Sequence, residues 1–162
     1  MGLFDKLLGG QQSAPGPADP RLVAVFAFPP DEPSYRKRDA EKALTRESSA
    51  IMAILGTTGE TALIAAHDAA HNRVLVVTDQ RTFVVKRGAI EQEKRHNQVA
   101  ETTIHDGTGR IGNMYVTIFD LESRMTYGPN SEGSFRNCIG AEVATYRTAN
   151  AICNLIDERK GQ

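Results

Sequence analysis

His67 and His71 stand four residues apart, the spacing at which two imidazoles on one helical face can close on a zinc ion. The pair lacks the glutamate of the metalloprotease pattern, and the segments on either side, TALIAAH and RVLVVTD, are apolar and β-branched like strands. His67 and His71 therefore belong to a hairpin connection, where side chains four apart need not converge, and the expectation is two surface histidines rather than a metal site. His96 and His105 are too distant along the chain to join them by spacing. Gly107-Thr108-Gly109-Arg110-Ile111-Gly112 spells GxGxxG. A dinucleotide loop leaves a strand and opens a helix, so that the helix amino terminus meets the pyrophosphate. This run joins two strand-like segments, so its glycines read as turn residues. No Walker lysine, nucleophile elbow or carboxylate pair in an apolar setting follows. Cys138 and Cys153, 15 residues apart in a stretch that reads as one helix, would lie roughly 22 Å from each other. They read as small buried thiols in a reducing compartment. The expectation is a protein without catalytic, metal-binding or cofactor-binding residues.

The 162 residues carry 19 Lys plus Arg against 20 Asp plus Glu, a net charge of -1, with 40% apolar residues. That balance does not suit a dedicated nucleic-acid binder, which needs a basic face. A chain of this length buries about 70% of its unfolded surface and needs no disulfide or metal for stability. No apolar run reaches the roughly 18 residues of a membrane span. The start, MGLFDKLLGG, fits neither a secretory signal nor myristoylation, where Lys6 replaces the required hydroxyl residue. A cytoplasmic location is expected.

The elements divide into residues 1–33, 34–56 and 57–160. Leu3, Phe4, Leu7 and Leu8 gather on one side of a short amphipathic tip too small to hold a helix by itself, so it must dock on protein or on a membrane surface. Residues 9–20 are a Gly, Pro, Ser and Gln linker. Residues 21–28, RLVAVFAF, are closed by prolines at both ends and read as an edge strand, with Val23, Val25 and Phe26 as further partner contacts. Leu44, Ser48, Ile51, Met52 and Leu55 define a helix that Gly56 should stop. Its Arg36, Lys37 and Arg38 are balanced by Asp31, Asp39 and Glu41 and read as a solvated face. Seven strands are expected at 61–67, 73–79, 82–87, 90–95, 98–105, 113–120 and 124–128. A last helix is expected over 134–160, capped by Ser134, with a stripe of Ile139, Val143, Tyr146, Ala149, Ile152, Cys153 and Ile156.

From Val74 to Phe119 the details fall in a specific order. An apolar strand ends in Thr78-Asp79, Arg81 opens the next strand, and Lys86-Arg87-Gly88 makes a turn. A polar strand then leads to Gln98-Val99, and a glycine-bounded strand runs from Met114 to Phe119. This order resembles the bacterial pleckstrin-homology-like domains of the short YokE-like type, over roughly residues 58–158. The resemblance implies a mainly β, α+β fold: a bent seven-stranded antiparallel barrel capped by the carboxy-terminal helix, here preceded by a further helix. It also implies self-association, with homo-oligomers among the outcomes. With no catalytic constellation in the sequence, the expectation is a non-enzymatic protein-binding or self-assembly module, with peripheral attachment to anionic lipid through the amphipathic tip as the alternative. Lipid-binding members of the wider superfamily converge several Lys and Arg on the first hairpin loop. The corresponding loop here, Asp68-Ala69-Ala70-His71-Asn72-Arg73, has one Arg and one His, so phosphoinositide headgroups are not expected as ligands.

Overall fold

A computed structural model describes residues 16–28, 34–107, 112–120 and 138–162. The tip residues Leu3, Phe4, Leu7 and Leu8, most of the linker, the segment expected as a strand at 124–128 and the expected cap Ser134 lie outside these residues.

The chain first forms a short helix, α1 (Pro20–Val25), where an edge strand is expected. The reason is local. Asp19 accepts a hydrogen bond from the Arg21 amide as an N-cap, and Pro20 occupies the first helical turn, where its fixed φ suits the helix and its missing N–H is no loss. The backbone becomes extended only at Phe26, which makes one parallel bridge to Ala65, and the Ala27 amide donates to the Ala65 carbonyl at 2.7 Å. Helix α2 (Ser34–Thr58) follows and runs past Gly56, ending at Gly59, whose φ of +70° is the left-handed conformation that closes a helix. Ala40, Ala43, Leu44, Glu47, Ser48, Ile51 and Leu55 form its buried face at spacings of three and four.

Seven strands are described. β1 (Ala62–Asp68), β2 (Arg73–Thr78), β3 (Arg81–Lys86) and β4 (Ala89–Arg95) form an antiparallel sheet in sequential order; β5 (Val99–Asp106), β6 (Met114–Asp120) and β7 (Ile139–Val143) form a second. Residues 96–98 make a single 3-10 turn between the two sheets. The β3–β4 turn places Arg87 and Gly88 at φ of 52° and 78°, the paired left-handed conformation of a tight hairpin. Six strands stand where the alternation places them. The seventh is Ile139–Val143, read from sequence as the start of the last helix. Helix α3 (Tyr146–Asp157) instead begins at Thr145, whose hydroxyl accepts from the Thr148 amide.

The architecture is α+β and mainly β, in layers. Helices α1 and α2 cover the outer face of the first sheet, where Leu22, Phe26, Ala43, Leu44 and Ile51 meet Ala65, Val74, Val76, Phe83 and Val85. The inner face, with Leu75, Val77 and Val84, meets Val116, Ile118, Ile139 and Val143 of the second sheet, and α3 inserts Ala149, Ile152, Cys153 and Ile156 between them. Strand β2 is therefore buried on both faces, which is why VLVV is continuous rather than alternating. Among the described residues no backbone ladder joins the two sheets into a closed barrel.

Glu47 ties α2 to the β3–β4 turn. Its buried carboxylate accepts from Arg46 Nε at 2.6 Å and from the amides of Arg87 and Gly88 at 3.0 and 2.8 Å. Burial pushes this carboxyl up, but the Arg46 guanidinium and the two amides outweigh it and hold it below its ordinary value. We expect Glu47→Ala to cost about 2–3 kcal/mol at neutral pH, the range for hydrogen bonds to a buried charge. Because the folded pKa is depressed, that contribution is present above the unfolded value of about 4.3 and disappears as pH falls through the folded one. Urea titrations of parent and variant at pH 7 and pH 3 should show the gap between them narrowing in acid.

Candidate functional site

Charged groups gather at the seam where the outer edge of β7 faces the first sheet. Asp68 ends β1 and Arg73 opens β2, so the β1–β2 turn brings both to one end of the hairpin. The fully buried Asp68 carboxylate accepts from Arg73 Nε at 2.7 Å, from the Glu142 amide at 2.9 Å and from the Ala70 amide at 3.2 Å; the same carboxylate lies 2.8 Å from His71 Nδ1. Arg73, itself buried, donates to Glu91 at 2.7 Å, to Gln92 Oε1 at 3.1 Å and to the Gly140 carbonyl at 2.6 Å. Burial works against the charged guanidinium, yet Asp68 and Glu91 hold its pKa above the ordinary value.

Strand register explains how two neighbouring β4 side chains reach one arginine. Val84 pairs with Gln92 and Val85 with Ile90, leaving Glu91 as the extra residue of a bulge. The bulge places Glu91 beside Gln92 rather than on the opposite face. Gln92 Nε2 donates in turn to the Cys138 carbonyl at 3.1 Å, and the Ala69 amide donates to the Glu142 carbonyl at 2.9 Å. The β7 edge groups at 138, 140 and 142 are thus satisfied by side chains and a turn of the first sheet, where a closed barrel would use another strand. Glu142 also accepts from Asn113 Nδ2 at 2.8 Å, and Asn113 Oδ1 accepts from Arg36 at 3.4 Å.

An open hollow of about 480 Å³ lies against this network, bordered by His71, Arg73, Glu91, Gln92, Tyr115 and Cys138. Gly140 makes room for Tyr115, since a Cβ there would sit 2.3 Å from the phenol oxygen. Burial pushes both the Tyr115 phenol and the Cys138 thiol up, so neither is a ready anion at neutral pH. On the other side of the β1–β2 turn a narrow cleft of about 70 Å³ is bordered by Ala27, Arg36, Asp39, His67, Asn113 and Thr148.

The histidine pair of the sequence is separated onto different partners. His71 faces Asp68, while His67 Nε2 is 3.5 Å from Asn72 Oδ1, and burial lowers the His67 pKa. Among the described residues no three His, Cys, Asp or Glu side chains gather as a metal cage. The GxGxxG run connects β5 to β6, and its Gly107 allows the backbone to approach Asn113, whose carbonyl accepts from the Gly107 amide at 2.7 Å. Cys138 directly precedes β7 and Cys153 lies on α3, and both are buried, so the single-helix separation does not apply. Of the expected partner contacts, Val23 is exposed and Val25 half-buried, but Phe26 is buried in the core beneath α2, with its ring centroid 4.7 Å from that of Phe28. The sequence signal for the seam was a charged residue on each side of the turn in an otherwise apolar hairpin, Asp68 and Arg73.

No protein-family model matches the chain, and no curated protein shows significant similarity to it. Among the described residues no helix is long and apolar enough to cross a membrane.

Proposed function

We propose that the chain is a non-enzymatic binding module of pleckstrin-homology-like fold that docks a protein partner or another copy of itself. Four sequential strands, then three, then a helix seated between the sheets support the fold reading. The observation that carries binding over catalysis is the saturation of the seam. Asp68 meets four polar groups and Arg73 four acceptors, so both act as closure between the sheets rather than as groups poised on a substrate. The same inward arrangement of Arg73 removes the main cation of the β1–β2 loop from any polyphosphate headgroup.

The docking contacts fall on the N-terminal region. Among the described residues, Val23 and Tyr146 are the large apolar side chains left exposed, and Val23 lies on α1, directly after the linker that carries Leu3, Phe4, Leu7 and Leu8. Val25 contributes from the same helix, whereas Phe26 anchors it to the core. Membrane attachment through the same amphipathic tip is the competing use of these residues, with Lys6 supplying charge. Full-length protein carrying Leu3→Asp and Phe4→Asp separates them. Protein docking predicts a smaller sedimenting species for the variant than for the parent, with no binding of either to vesicles containing anionic lipid. Vesicle flotation by the parent, abolished in the variant, would replace the proposal with the membrane reading; identical monomers without flotation would refute both self-assembly and membrane attachment through the tip.

A further inference from the structure

His96 occupies the joint between the two sheets. It opens the 3-10 turn that links β4 to β5, it is 2% exposed, and its amide donates to the Gln80 carbonyl of the β2–β3 turn at 3.1 Å. Its ring Nε2 lies 3.3 Å from the buried Thr82 hydroxyl, while its buried Nδ1 meets no hydrogen-bond partner. Three residues on, Val99 enters the cluster that holds Ile152 and Ile156 of α3 against the sheets. A neutral ring can leave one nitrogen bare at moderate cost. A protonated ring carries an N–H on both nitrogens and a full charge, and burying that charge unpaired is far more costly.

We propose that His96 is a proton-sensitive joint, and that protonating its ring at mildly acidic pH releases β5 and α3 from the first sheet before the first sheet itself unfolds. The ionisable groups acting on the ring come from three places. Arg159, just beyond α3, opposes protonation; Asp79 in the β2–β3 turn and Glu60 ahead of β1 favour it. The two carboxylates are already engaged, Asp79 by the Thr61 amide at 3.0 Å and Glu60 by the Thr78 hydroxyl at 2.7 Å and Arg81 at 2.9 Å. Burial is the largest influence and, with Arg159, leaves the ring harder to protonate than an ordinary histidine. The unfolded chain therefore takes the proton first. Stability from this site is complete above an unfolded pKa of about 6.5 and falls as pH drops below it, by up to roughly thirty-fold in the opening equilibrium at pH 5.

Hydrogen exchange of the full chain at pH 7 and pH 5, corrected for the intrinsic pH dependence, tests this. Amides of β5 and α3 should open at least ten-fold more often at pH 5, with those of β2 and β3 changing less. His96→Gln should abolish the difference, and His67→Asn should keep it. An acid response that survives His96→Gln, or is missing from the parent, overturns the proposal. Should His96→Gln not fold, the His96 ring signal in the parent decides by nuclear magnetic resonance: it must titrate below the ordinary histidine value of about 6.5, and titration at or above that value with the fold intact refutes the joint.

Discussion

Asp68→Ala should destabilise the protein by about 3–5 kcal/mol, a large share of the 5–15 kcal/mol typical of a domain. The carboxylate is fully buried, and its removal strands three donors: Arg73 Nε and the amides of Glu142 and Ala70. It also leaves the buried Arg73 guanidinium with Glu91, which is 44% exposed, as its remaining carboxylate. Arg73→Met should be similarly damaging, because it leaves Asp68 charged without its guanidinium and frees the Gly140 carbonyl. The double variant should lose clearly less than the sum, by about 0.5–3 kcal/mol, since each single change exposes the cost of the partner left behind. Urea unfolding of the four proteins at pH 7 measures this cycle; additive losses would mean that the two side chains do not act as one closure.

Ile152→Ala should cost about 2–5 kcal/mol, because the side chain is fully buried where α3 enters between the sheets. Tyr146→Ala, six residues earlier on the same helix, should change stability by less than about 0.5 kcal/mol, since Tyr146 is 60% exposed. Thermal unfolding followed by far-ultraviolet circular dichroism compares the two. Equal effects would contradict the placement of α3.

The contrast between Ile152 and Tyr146 shows what the sequence could and could not reveal. A stripe at spacings of three and four identifies Ala149, Ile152, Cys153 and Ile156 correctly; it wrongly extends the helix to Ile139 and Val143, and it counts Tyr146, which is on the helix, among the apolar face although that side chain is exposed. Ile139 and Val143 are four apart, which places them on one face of a helix and equally on one face of a strand. Pairing with β6 decides in favour of the strand, and that partner is remote in sequence. Residues 21–28 fail for the opposite reason. Their apolar character suits a strand, but the Asp19-Pro20 start commits the first five to a helix. Strands β1 to β3 were legible as apolar, β-branched runs, and β4 to β6 because turn residues at Arg87-Gly88 and Asp106-Gly107 separate them. The seam was not, because Glu91 reaches Arg73 through a bulge and Gly140 accommodates Tyr115 through cross-strand register. The histidine spacing at 67 and 71 was visible, yet it belongs to a turn that holds the two rings on separate partners.

Binding through the N-terminal region is tested most directly by sedimentation velocity, over a concentration series, of the full chain against a chain starting at Gly16. Residues 16–28 must stay, because Leu22 and Phe26 are core residues and a cut at residue 30 would remove them. The expected result is a concentration-dependent larger species for the full chain, a monomer for the shortened one, and the same melting temperature for both at concentrations where both are monomers. A full chain that sediments as a monomer throughout, or a shortened chain that associates equally well, would contradict assembly through these residues.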